Sequence, residues 1–88
     1  MEDLGKIRIE YKKDNNVIRI YNSPFVCSLV INGIVVDRYI GAVAWPFILH
    51  GTIESENETI YVAAKMGWFY MKLIYNGEIV AKKFLAFG

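Results

Sequence analysis

Val30-Ile31-Asn32-Gly33-Ile34-Val35-Val36 and Ile74-Tyr75-Asn76-Gly77-Glu78-Ile79-Val80 place the same punctuation at matching points of the two halves of the chain. An Asn-Gly pair between apolar runs favours a type I′ turn, because both central residues take positive φ and these two tolerate it best. Each stretch therefore predicts a β-hairpin, pairing Phe25–Ile31 with Ile34–Ile40 and Trp68–Tyr75 with Glu78–Leu85.

The two turns lie 44 residues apart, half the length of an 88-residue chain. Sliding the chain by that step aligns Ile9-Glu10 with Ile53-Glu54, Phe25 with Phe69, Leu29 with Leu73, Asn32-Gly33 with Asn76-Gly77, Val36 with Val80 and Ala42 with Ala86, eight identities in 44 pairs. Two further strands precede each hairpin. In the first half Lys6–Lys12 and Val17–Tyr21 flank Lys13-Asp14-Asn15-Asn16; in the second, Trp45–Ile53 and Thr59–Lys65 flank Glu54-Ser55-Glu56-Asn57-Glu58. Apolar residues alternating with charges at period two read as half-buried antiparallel strands. No α-helix is expected, since the only capping-like pattern, Ser55 with Glu58, leads into β-branched and aromatic residues. The expectation is a single all-β domain over 1–88 with an internal repeat, 1–44 and 45–88. Its eight antiparallel strands form either a sandwich of two four-stranded sheets packed face to face or a closed meander barrel.

Bulk composition excludes several partner classes. Ten Lys+Arg against nine Asp+Glu leave a net charge of +1, without the clustered cations that neutralise phosphates, so nucleic acid is not expected. The single cysteine, Cys27, rules out an internal disulfide framework and a cysteine-based zinc site, and fits a reducing cytoplasmic compartment. Met1-Glu2-Asp3 begins acidic rather than with the basic-then-apolar order of a signal peptide. The uncharged runs 20–36 and 39–53 are broken by Asn, Pro and Gly and fall short of the about 20 apolar residues of a membrane helix. No membrane partner is expected.

A hydrophobic fraction of 55% exceeds what one buried face per sheet can absorb, so part of it belongs outside. Counting outward from a two-residue turn assigns the faces. Cys27, Leu29, Ile31, Ile34, Val36, Arg38 and Ile40 fall on the core side with Phe25; Met71, Leu73, Tyr75, Val80, Lys82 and Phe84 do so with Phe69. Arg38 and Lys82, at matching repeat positions, are expected with buried stems and solvated heads. The outer side takes Val26, Ser28, Val30, Val35, Asp37 and Tyr39 in one hairpin, and Trp68, Tyr70, Lys72, Ile74, Ile79, Ala81, Lys83 and Leu85 in the other, with Tyr61 and Lys65 joining by alternation. Aromatic and apolar side chains on a partly solvated face mark an interface. Trp68, Tyr70, Tyr61 and Ile74 are therefore the candidate binding residues.

Catalytic candidates are few. Cys27 and His50 are a conceivable nucleophile and base, but Cys27 lies mid-strand on the core side, where a thiol acts as a small hydrophobe. Glu54, Glu56 and Glu58 lack the spacing of a calcium loop and read as a solvated turn. No catalytic residue, metal site or cofactor is expected.

Val30-Ile31-Asn32-Gly33-Ile34-Val35-Val36-Asp37-Arg38-Tyr39, then Phe47-Ile48-Leu49-His50-Gly51, Ile60-Tyr61-Val62, and Phe69-Tyr70-Met71-Lys72-Leu73-Ile74-Tyr75-Asn76-Gly77 together resemble the Fas apoptotic inhibitory molecule family over about residues 25–84. The resemblance implies a small all-β domain of repeated hairpins without catalytic activity, and it transfers no functional residue. The expected function is a non-catalytic module that binds a protein or a second copy of itself through the outer aromatic face. The alternative is a carrier for a small apolar ligand inside a barrel, which thermal stabilisation by fatty acids would reveal.

Overall fold

The computed structural model describes residues 6–23, 26–40, 47–67 and 70–84. They form β1 (Lys6–Lys13), β2 (Asn16–Asn22), β3 (Val26–Ile31), β4 (Ile34–Ile40), β5 (Phe47–Glu54), β6 (Thr59–Met66), β7 (Tyr70–Tyr75) and β8 (Glu78–Phe84), with no helix among the described residues. Each half is a four-stranded antiparallel meander, β1-β2-β3-β4 and β5-β6-β7-β8. The first sheet lies against the second, β4 and β3 beside β5 and β1 beside β8.

The turn residues behave as their chemistry requires. Asn32 and Gly33 have φ of 51° and 83°, and Asn76 and Gly77 have 51° and 86°, the positive pair of a type I′ turn. Asp14 and Asn15 also take positive φ. This makes the first connection a two-residue hairpin, tighter than the four-residue turn expected from Lys13-Asp14-Asn15-Asn16.

Repeat-related residues make the same bonds. The Asn32 N–H donates to the Val17 carbonyl and the Asn76 N–H to the Tyr61 carbonyl, both at 2.8 Å. Ser23 to Val26 and Gly67 to Tyr70 are a second matching pair, again both at 2.8 Å. The 44-residue step fails only at the first strand of each half. Ile9 pairs with Ile20 and Leu49 with Ala64, so β5 is offset from β1 by 40 residues because the β5–β6 turn is longer. The alignment of Ile9-Glu10 with Ile53-Glu54 is thus not a structural equivalence.

The core fills the space between the sheets. Ile18, Ile20 and Leu29 from the first sheet and Val62, Ala64, Met71 and Leu73 from the second are sealed from solvent, with Cys27, Ile31, Leu49, Ile60, Met66 and Tyr75 around them. Burying each large aliphatic side chain stabilises by roughly 1.5–3 kcal/mol. Tyr11 tilts against Tyr75 at 5.7 Å between centroids, and Tyr39 stacks on Phe47 at 4.1 Å, tying β1 to β7 and β4 to β5.

Three bulges overturn part of the face assignment made by counting. Arg8 in β1, Val36 in β4 and Val80 in β8 are each an extra residue opposite an unbroken partner strand. Val36 and Val80 are repeat equivalents, so the bulge is itself duplicated. Beyond each bulge the faces exchange, because side chains alternate with period two. Asp37 and Tyr39, expected outside, share the face of Leu29 and Cys27; Arg38, expected on the core side, shares that of Ser28. In β8, Ala81 and Lys83 take the side of Leu73 and Met71, whereas Lys82 comes out opposite Lys72. Ile7 likewise joins the face of Tyr21 and is exposed.

All three bulged strands are sheet edges, where an unpaired row of backbone groups invites pairing with another chain. The fourth edge, β5, is capped instead. Asp37 Oδ2 accepts the His50 N–H at 2.9 Å, and at the opposite seam Lys83 Nζ donates to the Arg8 carbonyl at 3.3 Å.

Candidate functional site

The outer faces of the two sheets differ. On the first, the central residues Ser28 and Val30 are buried although they point away from the core, and Ser28 is 0% exposed between Tyr21 and Arg38 in register. Ser28 therefore does not mark a solvated face as its polarity suggested. Arg19 and Glu10 pair beside it at 2.7 Å, and that guanidinium holds the Glu10 carboxyl below the usual range. Their repeat equivalents on the second sheet are uncovered. Among the described residues its outer face holds no buried side chain; Lys72 and Ile74, counterparts of Ser28 and Val30, are both accessible.

Register arranges this open face in rows across the strands. The first row runs Ile48–Lys65–Lys72–Lys82, and the second His50–Ala63–Ile74–Ile79. Thr52 opposite Tyr61 makes the third, and Glu54 opposite Thr59 closes the sheet at its turn end. Tyr61 is 67% and Ile79 58% exposed; on the first sheet's outer face Ile7 and Ile40 are exposed at the edge strands, so the two faces differ at their centres. Ala63, between His50 and Ile74, lets the surface dip. The resulting open depression of about 700 Å³ is lined by Val36, His50, Thr52, Tyr61, Ala63 and Ile74, among others.

Tyr70 lies at the other end of the face, its ring 4.8 Å from Lys72 Nζ and 5.5 Å from Lys82 Nζ. Each ammonium over an aromatic face gains about 0.5–1 kcal/mol at an exposed site. Of the four residues proposed from sequence, Tyr61, Tyr70 and Ile74 share this face, while Trp68 lies outside the described residues. Tyr70 and Tyr61 are separated by the lysine row and the Ala63 row, so they bound the surface instead of forming one aromatic cluster.

Counting missed Lys82, because the bulge at Val80 reverses the parity. No local signal in the sequence marks the bulge, since a residue inserted at Val36 or Val80 leaves the composition of the strand unchanged.

Cys27 and His50 do not meet. Cys27 is in the core, where burial pushes its thiol up to about 11, and His50 is on the outer side of the second sheet. Among the described residues no group of His, Cys, Asp and Glu is arranged to hold a metal ion. No helix of the described residues is long and apolar enough to cross a membrane. No family model matches the chain, and neither does any curated protein or solved structure.

Proposed function

We propose that this protein is a small non-catalytic interaction module that docks a protein through the outer face of its second sheet. The carrying observation is the asymmetry between repeats: one outer face buries its centre, and the other leaves Tyr61, Ile74, Ile79 and Ile48 accessible around a shallow depression. The two sheets share their strand order and the pairing of their last three strands, and differ at that centre in side chains: Ser28 and Val30 against Lys72 and Ile74. Filling of the inter-sheet space by the core cluster favours this surface over an internal ligand site. The high pKa of the only cysteine favours a non-catalytic thiol. The resemblance to the Fas apoptotic inhibitory molecule family points the same way. A single free cysteine suits a reducing, cytoplasmic setting, and the balance of charge disfavours nucleic acid.

A photo-crosslinking side chain at Tyr61, compared with one at Tyr21 on the opposite sheet, tests the reading in the native cell. Protein adducts are expected from position 61 and not from position 21. Adducts from position 21 alone, or from neither position, overturn it.

A further inference from the structure

Three lysines stand side by side on the open face. Lys65 pairs in register with Lys72, and Lys72 with Lys82, so at about 4.8 Å between strands the three positions span about 10 Å. Like charges directly opposite one another across strands destabilise a sheet. The fold does not need them, since the equivalent positions of the first sheet are Tyr21, Ser28 and Arg38. The Tyr70 ring beside Lys72 and Lys82 offsets only a small part of the repulsion. Neither Lys65 nor Lys72 is ion-paired to a described carboxylate. Glu54, on the same face, lies three rows away, about 20 Å at 3.3 Å per residue and well beyond the about 8 Å screening length of physiological salt.

A repulsion that nothing within the chain offsets is relieved by a partner of opposite charge. Resting on the reading of this face as the docking surface, we propose that the partner is a protein presenting a short acidic segment, with two or three carboxylates over the Lys65–Lys72–Lys82 row and a large apolar side chain beside them in the depression at Ala63. The Ala63–Ile74–Ile79 row runs parallel to the lysine row, two residues or about 7 Å along the strands. Carboxylates and an apolar anchor a few residues apart in one segment meet both rows at once. The lysines fix orientation and partner choice, and the buried anchor supplies the affinity.

Other anionic partners fit this face less well. Nucleic-acid affinity is built from many phosphate contacts, whereas here a row of three lysines gives way at once to apolar side chains. An anionic bilayer takes apolar side chains that protrude into it. On this face the centre of the apolar row is a depression, and Glu54 would be pressed against the same headgroups.

Selection of displayed random peptides on the wild-type protein tests this, followed by binding of the enriched peptides to two double variants, K65E with K72E and K65R with K72R. Lys65 is exposed and Lys72 half-buried, and far-UV circular dichroism checks each fold. Enriched peptides are expected to carry at least two Asp or Glu within a few residues of a Leu, Phe or Trp. They should bind the glutamate variant at least about tenfold more weakly and the arginine variant like the wild type. No enrichment, enriched peptides without acidic residues, or equal binding to the glutamate variant overturns the proposal. Tighter binding of the wild type to a thymidine oligonucleotide or to phosphatidylserine vesicles than to any enriched peptide overturns it as well. Photo-crosslinks from position 61 that are unchanged by K65E with K72E would leave the docking face standing and remove the acidic segment as its occupant.

Discussion

Gly51→Val probes how closely the sheets approach at the β4–β5 seam. Gly51 pairs with Val62 in β6 and occupies the place that Tyr11 takes in the first sheet, where Tyr11 pairs with Ile18. There Tyr11 fills the inter-sheet space against Tyr75. Here the space is already taken: a Cβ on Gly51 would lie 2.7 Å from Val36 Cγ2 and 2.9 Å from Ile31 Cδ1. The Ile31 terminus can rotate aside, but Val36 is β-branched and stiff at χ1, and two further methyls enter the same gap. Overpacking of this kind costs about 1–3 kcal/mol. Removing glycine returns about 0.5–1 kcal/mol by restricting the unfolded chain. The net loss is about 1–2 kcal/mol, or a fall in Tm of about 5–15 °C for a domain of this size. Thermal denaturation followed by circular dichroism reads it directly. Val36→Ala in the same chain removes the blocking methyl, and the double variant should be more stable than the sum of the singles by about 0.5 kcal/mol or more. An unchanged or raised Tm for Gly51→Val would refute the close approach.

Two further perturbations separate backbone from side-chain effects. Gly33→Ala and Gly77→Ala place a Cβ where no atom lies within 4 Å, so each measures only the positive-φ penalty; denaturant titration should give nearly equal losses of about 1 kcal/mol, and a large inequality would argue against equivalent turns. Burial raises the Cys27 thiol to about 11 from an ordinary 9.0, so the folded state holds its proton more tightly than the unfolded one. Its contribution is complete below pH 9, declines between 9 and 11, and levels off above. Cys27→Ala should flatten that part of the stability profile, and rapid labelling of native Cys27 by a thiol reagent at neutral pH would contradict its burial.

Strand positions and the duplication were legible because Asn-Gly turns and period-two alternation are local signals, written in residues such as Asn32, Gly33, Asn76 and Gly77. The faces were legible only up to the bulges. A residue inserted at Val36 or Val80 changes parity without changing composition, so Asp37, Tyr39, Arg38, Ala81, Lys82 and Lys83 all fall on the side opposite to the count. The face assignment agrees with the structure on β6 and β7, which carry no bulge: Tyr61, Tyr70 and Ile74 keep their parity. The burial of Ser28 was not legible, because a hydroxyl between apolar residues reads as solvated and carries no record of its neighbours across the sheet, Tyr21 and Arg38.

The open outer face of the second sheet is most directly tested by the broadening of amide signals when a soluble paramagnetic agent is added. Strong broadening at Tyr61, Ala63, Lys65, Lys72 and Ile74, with Ser28 and Val30 of the opposite face protected, is the predicted result. Equal broadening of the two sets, or protection of the second-sheet set alone, would contradict it.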